Sequence, residues 1–223
     1  MHNNENQSAA EKINNFITNN RKAIFTVICI IIAAFAVLIT YLAISDSINK
    51  KAITVMDELN GKYDDLSLNS EEDYNTPDVD TLLAEVKNFA EKTGGFAGTK
   101  AWTIVGQIYS GRKDWANAQE AWLSAAKKGN KTYLGPVALY NAAAAAEEQG
   151  NLEQAIELLE KCLAGKFEFP AAPHAQFSIG RLHETLGNKT AATEAYRVIL
   201  IKWPQIPLWQ NLARSRLAVI EEK

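Results

Sequence analysis

The sequence predicts an all-α protein in which one N-terminal transmembrane helix precedes a helical solenoid that ends in a capping helix. Two observations lead to this prediction. A long apolar stretch near the N-terminus contains no charged residue, and small residues further along recur at a fixed spacing of 37 residues. A repeat of this size is typical of helical solenoids, in which each helix pair packs only on its neighbours. Such solenoids present an extended surface that suits the binding of another protein.

The N-terminal tail, residues 1–22, is polar and rich in asparagine. We expect residues 1–20 to be partly disordered. A helix is expected to begin over residues 12–16 and to run into the apolar stretch that follows.

Residues 23–44 are the predicted transmembrane helix. They read AIFTVICIIIAAFAVLITYLAI and contain no charge. At about 1.5 Å per residue the segment is roughly 33 Å long, which is enough to cross a bilayer. So long an uncharged run argues against a buried helix of a soluble core.

The charges beside this helix predict its orientation. Arg21 and Lys22 directly precede it, which favours a cytoplasmic N-terminus, although the basic residues on the two sides are balanced in number. The predicted location is the bacterial inner membrane, crossed once, with the repeats in the periplasm.

A cleavable signal peptide is the alternative, because Ala43-Ile44-Ser45 offers small residues to a signal peptidase. The apolar run is longer than the core of about 7 to 15 residues in signal peptides, and Glu5 and Glu11 precede it. We favour an uncleaved anchor and leave cleavage open. Cys29 is interpreted as a membrane-buried thiol, since the apolar run continues well past it, unlike the run before a lipoprotein acylation site.

Residues 45–98 are predicted to hold a helical extension, an acidic loop and a degenerate first helix pair. Apolar residues follow a helical period over 47–62, so this helix can continue the membrane helix outwards. The acidic stretch 63–77 is predicted to be a loop.

A second helix is predicted over residues 81–92, with Asp78 or Asp80 as its N-cap. The glycines at positions 94, 95 and 98 are expected to separate it from the first clear repeat.

Residues 99–206 are predicted to form three helix pairs. One alanine position defines the 37-residue step: Ala118, Ala155 and Ala192. Gly150 and Gly187 keep the same step and suit a left-handed turn after a first helix, and Asn151 and Asn188 follow as N-caps of the second helix. Residues 207–223 are predicted to be a capping helix, because the last repeat of a solenoid has no neighbour on its outer face.

Small residues on the first helices should let the two helices of a pair approach closely: Gly106, Ala143 and Gly180. Large residues on the second helices should fill the space between pairs: Trp122, Leu159 and Tyr196.

The first repeat resembles a tetratricopeptide repeat. Its first helix follows the pattern W-x2-L-G-x2-Y, with valine for leucine: Trp102, Val105, Gly106 and Tyr109. Ala118 and Trp122 then match A-x3-F, and the third repeat ends at Pro204, where the pattern has proline. The usual period is about 34 residues. The extra residues are expected in the connections 132–136 and 167–173.

The resemblance implies that the first helices line a protein-binding groove. By register, the candidate groove residues are Gln107, Tyr140, Asn141, Ala144, Glu147, His174, Phe177, Arg181 and Glu184. Asn141 alone matches the groove type that clamps a C-terminal carboxylate, so that ligand is not expected. Tyr140 and Phe177 beside Arg181 are either anchors for a partner or packing residues between adjacent first helices.

No catalytic, cofactor or metal site is predicted. The three histidines lack metal-binding spacing, and no glycine-rich phosphate loop precedes a Lys-Ser/Thr pair. The net charge of −3 predicts no attraction to nucleic acid, and no small-molecule substrate is evident.

The overall layout resembles the single-pass bacterial inner-membrane tetratricopeptide family typified by the ancillary subunit of the Sec translocon. This resemblance implies a protein-binding adaptor whose partners are translocase subunits, exported chains or periplasmic chaperones. The alternative is a structural scaffold for a cell-envelope or division complex that acts by self-association.

Overall fold

The computed structural model describes residues 9–69, 74–167 and 169–222, and within these ranges the chain is entirely helical and loop, with ten helices and no strand. The chain divides into two compact units, Met1–Lys51 and Ala52–Lys223. The predicted all-α solenoid is confirmed for the second unit.

The N-terminal unit contains helix α1 (Ala9–Asn19) and the first part of helix α2 (Arg21–Asn69). Residues 1–8 of the tail lie outside the described residues. Helix α1 begins earlier than the sequence analysis predicted. The Asn20 amide donates to the Phe16 carbonyl at 3.0 Å, so helical hydrogen bonding continues into the residue between the two helices.

The apolar stretch of α2 has the length and composition of a membrane span. The candidate span is Arg21–Leu66, its most apolar window has a mean hydropathy of 3.0, and none of that window is buried. Phe25 and Val37, for example, are 69% and 70% exposed. A buried core helix would place such side chains against protein, whereas none of this window is buried by the described residues. A signal sequence near the N-terminus has the same properties.

Helix α2 extends to Asn69, so the prediction of a loop over 63–77 is wrong for its first seven residues. Met56 and Leu59 are buried, and Tyr63 and Leu66 pack against the same core cluster. These four residues form one helical stripe, and its burial against the next helices outweighs the polar character of the intervening residues. Residues 70–73 lie outside the described part of the chain.

Helix α3 (Pro77–Lys92) starts four residues earlier than predicted, and its N-cap is Thr76 rather than Asp78 or Asp80. The Thr76 hydroxyl accepts a hydrogen bond from the Val79 amide at 3.3 Å. Pro77 occupies the first turn, where its fixed φ and missing N–H cost nothing. The two aspartates instead lie in the first turn, where their negative charge interacts favourably with the positive end of the helix dipole.

Three helix pairs and a final helix complete the second unit: α4 (Gly95–Gly111), α5 (Trp115–Lys128), α6 (Leu134–Glu148), α7 (Leu152–Leu163), α8 (Ala172–Thr185), α9 (Lys189–Lys202) and α10 (Pro207–Glu221). From α3 onwards each helix packs on the next one in the chain. Helix α4 begins inside the glycine segment that was predicted to be a separator. The first inter-repeat connection runs over 129–133, slightly earlier than predicted. The second lies between the end of α7 at Leu163 and the start of α8 at Ala172, and residue 168 within it is outside the described residues.

Close contact between the helices of a pair depends on a glycine facing an aromatic ring. A methyl group at Gly180 would lie 2.6 Å from the Tyr196 ring, and one at Gly106 would lie 2.6 Å from the Trp122 ring. Both rings are buried, so they have no room to move. The predicted roles of these small and large residues therefore hold in the first and third repeats.

The predicted turns after the first helices are also confirmed. Gly150 and Gly187 have φ values of 78° and 76°, a region that glycine adopts without strain. Asn151 and Asn188 occupy the N-cap positions that follow, although their side chains make no capping hydrogen bond.

The final helix α10 is held by a buried amide. Gln210 donates to the carbonyl oxygens of Ile199, Leu200 and Trp203 at 3.3, 3.2 and 3.3 Å. These carbonyls lie at the C-terminal end of α9, where helical partners run out. Gln210 thus supplies hydrogen-bond donors to the backbone carbonyl groups at the end of the last repeat.

We expect Gly180→Ala to be less stable than Gly61→Ala by about 1–3 kcal/mol, because overpacking of a filled core costs this much. Gly61 is the matched control: it also lies inside a helix, and an added methyl group there meets nothing within 4 Å. Both variants gain the same helix propensity, so the difference isolates the contact with Tyr196. Urea unfolding followed by circular dichroism measures it. Equal stabilities would contradict the proposed packing.

Candidate protein-binding groove

The candidate groove residues all lie on the first helices of the repeats. Gln107 is on α4, four of the others are on α6, and four are on α8. Side chains of successive first helices meet on this side, and α10 continues it beyond α8. We call the side formed by α4, α6, α8 and α10 the groove face. The structure divides the nine candidate residues among an aromatic cluster, two ion pairs and a pocket.

The aromatic cluster links α6, α8 and α10. The Tyr140 hydroxyl lies 3.0 Å from His174 Nδ1, and the His174 ring stacks on Trp209 with centroids 5.0 Å apart. Phe177 packs against Trp209 at 5.6 Å and against Tyr196 at 5.2 Å. Tyr140 and Phe177 are both half-buried. These contacts favour the packing interpretation of the two side chains.

Two ion pairs bridge successive first helices. Arg181 on α8 donates to both carboxylate oxygens of Glu147 on α6, at 2.6 and 2.7 Å. Arg216 on α10 makes a similar bidentate ion pair with Glu184 on α8. Paired groups of this geometry fix the spacing of neighbouring helices. We call the space between two successive helices of the groove face an interval. At the α6–α8 and α8–α10 intervals, the charged side chains of these two pairs are therefore neutralised within the chain.

The interval between α4 and α6 is built differently. Ser110 and Ala144 occupy the positions that Glu147 and Arg181 hold one 37-residue step later. These short side chains cannot form the bridge, and a cavity of about 360 Å³ opens between the helices. We call it the α4–α6 pocket. Gln107, Asn141 and Ala144 line it, so three of the nine candidate residues meet there.

Several residues of the groove face were missed by the sequence analysis. Tyr63 and Tyr74 line the α4–α6 pocket, and both fell in the predicted acidic loop. Trp115 and Glu148 line it as well. Trp209 was predicted only as part of the capping helix. A capping helix must also cover the exposed side of α8, the first helix of the last repeat, and Trp209 lies there against His174. Tyrosine residues in a segment predicted to be an acidic loop were the signal that could have found the first two.

Local burial shifts the pKa values of two side chains in the repeats. Burial lowers the pKa of His174, and the positive charge of Arg181 adds to the effect. Burial raises the pKa of the Cys162 thiol to about 12, and its sulfur donates to the Pro136 carbonyl at 3.2 Å. His174 is therefore neutral at pH 7, and Cys162 is a packing residue rather than a nucleophile.

We expect the fold to lose stability as the pH falls below about 6.5, in part through His174. A histidine with a lowered pKa contributes its full stability above the unfolded-state value of about 6.5 and loses it as the pH falls through the folded-state value. Thermal melts at pH 7.5 and 5.5 measure the loss. His174→Gln, which cannot gain the proton, should show a smaller loss. An identical loss in the variant would contradict the prediction.

The described residues contain no group of three or more His, Cys, Asp or Glu side chains arranged to hold a metal ion. The α4–α6 pocket offers amides, phenol and indole groups, a hydroxyl and one carboxylate, which can hold a ligand by hydrogen bonds and apolar contacts.

Comparison with known proteins supports this interpretation of the repeats. Residues 163–207 match the model of a tetratricopeptide repeat family (TPR_16), and residues 105–172 match a domain of unknown function (DUF6340). The structure is similar to that of nearly identical TPR-like repeats from Podosopora anserina, with a TM-score of 0.57 at 16% identity, over 75% of this chain and 87% of that one. A variant of the same repeats gives a TM-score of 0.56 at 14% identity, over 75% and 86%. The chain is built of tetratricopeptide-like repeats.

A TPR repeat-containing protein of Treponema pallidum (strain Nichols) is 37% identical over 143 residues, which are 63% of this chain. The chain spans 59% of the length of that relative. Tetratricopeptide domains are modules for protein–protein interaction, and their proteins are generally scaffolds or adaptors rather than enzymes.

Proposed function

We propose that this protein is a membrane-anchored adaptor that binds other proteins through its groove face on the periplasmic side of a bacterial inner membrane. The observation that carries the proposal is the α4–α6 pocket, which is open where the two following intervals are closed by ion pairs. The other two intervals have their charged side chains paired within the chain, so the open α4–α6 pocket marks where a partner would contact the repeats.

The lining of the pocket suits an extended polypeptide. Gln107 and Asn141 present amides from two adjacent first helices, and each amide both donates and accepts hydrogen bonds. Such groups can pair with the backbone of a bound segment. The aromatic side chains beside them offer apolar surface to a side chain of that segment, as is usual for anchor positions in protein interfaces.

The apolar part of α2 supports membrane anchoring. Its exposed side chains would be stable in a bilayer, whose hydrocarbon core matches the length of the segment. Arg21 and Lys22 at its start favour a cytoplasmic N-terminus. Anchoring would raise the local concentration of the groove face near the membrane. We infer that its partners are translocase subunits, exported chains or periplasmic chaperones.

The anchor is tested by extraction and intact mass. We expect the protein to remain in the bacterial membrane pellet after carbonate washing, and its mass to include the segment before Ala43. Protease added to spheroplasts should degrade the repeats. A soluble product that begins near Ser45 would show a cleaved signal peptide instead. Repeats that are protected until the membrane is opened would reverse the orientation.

The groove face is tested by photocrosslinking in native membranes, with benzoylphenylalanine in place of Ala144. Ala144 is exposed and lines the pocket, so the probe should capture channel subunits, exported chains or chaperones, identified by mass spectrometry. The matched control places the probe at Glu153, which is exposed on the second helix α7. Equal capture at both positions, or none at Ala144, would contradict the proposal. Capture of only this chain would support the self-associating scaffold instead.

A further inference from the structure

We propose that the α4–α6 pocket binds a cationic side chain, arginine or lysine, of the partner protein. The inference rests on the proposed role of the groove face and adds the chemistry of the ligand.

Four aromatic side chains line the pocket: Tyr63, Tyr74, Trp115 and Trp122. They come from α2, the segment before α3, and α5, so three separate elements converge on one cavity. Aromatic rings attract cations through their quadrupole, and tryptophan does so most strongly. A cluster of four such rings around one cavity is the arrangement by which proteins bind cations that have left water.

Two of the four rings, those of Trp122 and Tyr74, are held in place before any ligand binds. The Trp122 indole donates to the Ser110 hydroxyl at 3.3 Å. Tyr74 lies against Gly111, where an added methyl group would be only 2.4 Å from its ring, and its carbonyl accepts from Arg112 at 2.8 Å. Because the cavity is already formed, little conformational entropy is lost on binding.

The charge of the lining is negative. Glu148 is the one ionisable acid or base of the lining apart from the two tyrosines, and no ion pair with it is formed among the described residues. Arg112 lies beside the lining, where its guanidinium donates to the Tyr74 carbonyl at 2.8 Å and is paired with Asp80 at 2.7 Å. Burial raises the pKa of Tyr63, so its phenol is neutral at pH 7. A cation from outside would therefore meet one carboxylate that has no ion-pair partner among the described residues, while the neighbouring positive charge of Arg112 is already paired with Asp80.

The next interval of the same solenoid holds a cation in the corresponding place. Arg181 extends from α8 towards α6 and is held there by Glu147. One step earlier Ala144 takes the position of Arg181 and Ser110 takes that of Glu147, so both members of the pair are missing. The carboxylate at this interval is that of Glu148, which lies on α6 rather than on the facing helix α4. A cavity of about 360 Å³ has room for the stem and head of one long basic side chain. The partner would thus supply what Arg181 supplies one repeat later.

The test uses the full-length protein in non-ionic detergent, labelled with 5-fluorotryptophan, and the probe N-acetyl-arginine amide. Of the five tryptophans, Trp115 and Trp122 line the pocket, so their ¹⁹F resonances, assigned by Trp→Phe variants, should shift on titration. The isosteric neutral control is N-acetyl-citrulline amide, which should bind at least several-fold more weakly. N-acetyl-lysine amide should behave like the arginine probe.

Glu148→Gln should weaken binding of the arginine probe roughly two- to five-fold, the range of a solvent-accessible ion pair. Glu153→Gln, an equally exposed change on α7, should leave it unchanged. Equal binding of citrulline and arginine, or shifts confined to Trp203 and Trp209, would overturn the proposal. If charge selectivity is absent while a probe at Ala144 still captures partners, the inference fails and the proposed function stands. If both are absent, both fail.

Discussion

The fit of one helix against the next is the contact on which the whole solenoid depends. In the first and third repeats a glycine on the first helix faces a buried aromatic ring on the second, Gly106 with Trp122 and Gly180 with Tyr196. Each helix packs mainly on its sequence neighbours, so an error in one contact would displace every later helix. The spacing of the first helices, and hence the groove face, follows from these contacts.

Charge then decides which intervals of the groove face are closed. Once the first helices are set at a fixed spacing, a glutamate on one and an arginine on the next can bridge them, as Glu147 and Arg181 do. Where the same two positions hold Ser110 and Ala144, no such bridge can form, and the α4–α6 pocket lies between the helices. The α4–α6 pocket is therefore a consequence of two short side chains in an otherwise bridged array.

Much of this architecture follows from local sequence features. The 37-residue step, the turns at Gly150 and Gly187 and the pairing of small with large residues are short-range properties, and the structure agrees with each. The position of the nine candidate residues was equally predictable, because register alone places them on the first helices. Their roles were not accessible, because Glu147 and Arg181 are 34 residues apart and pair only through the packing of α6 on α8.

The sequence by itself determined the helical class, the repeat period and the apolar segment, since each depends on residues within a few turns of one another. Only the tertiary structure decided that α2 continues to Asn69 and that Tyr63 and Tyr74 join Trp115 in one pocket. The local sequence there is acidic and predicts a loop. Packing of Tyr63 and Leu66 against the core cluster that contains Met56 and Leu59 overrides that local preference, and a contact between residues far apart in the chain exists only once the intervening helices are packed.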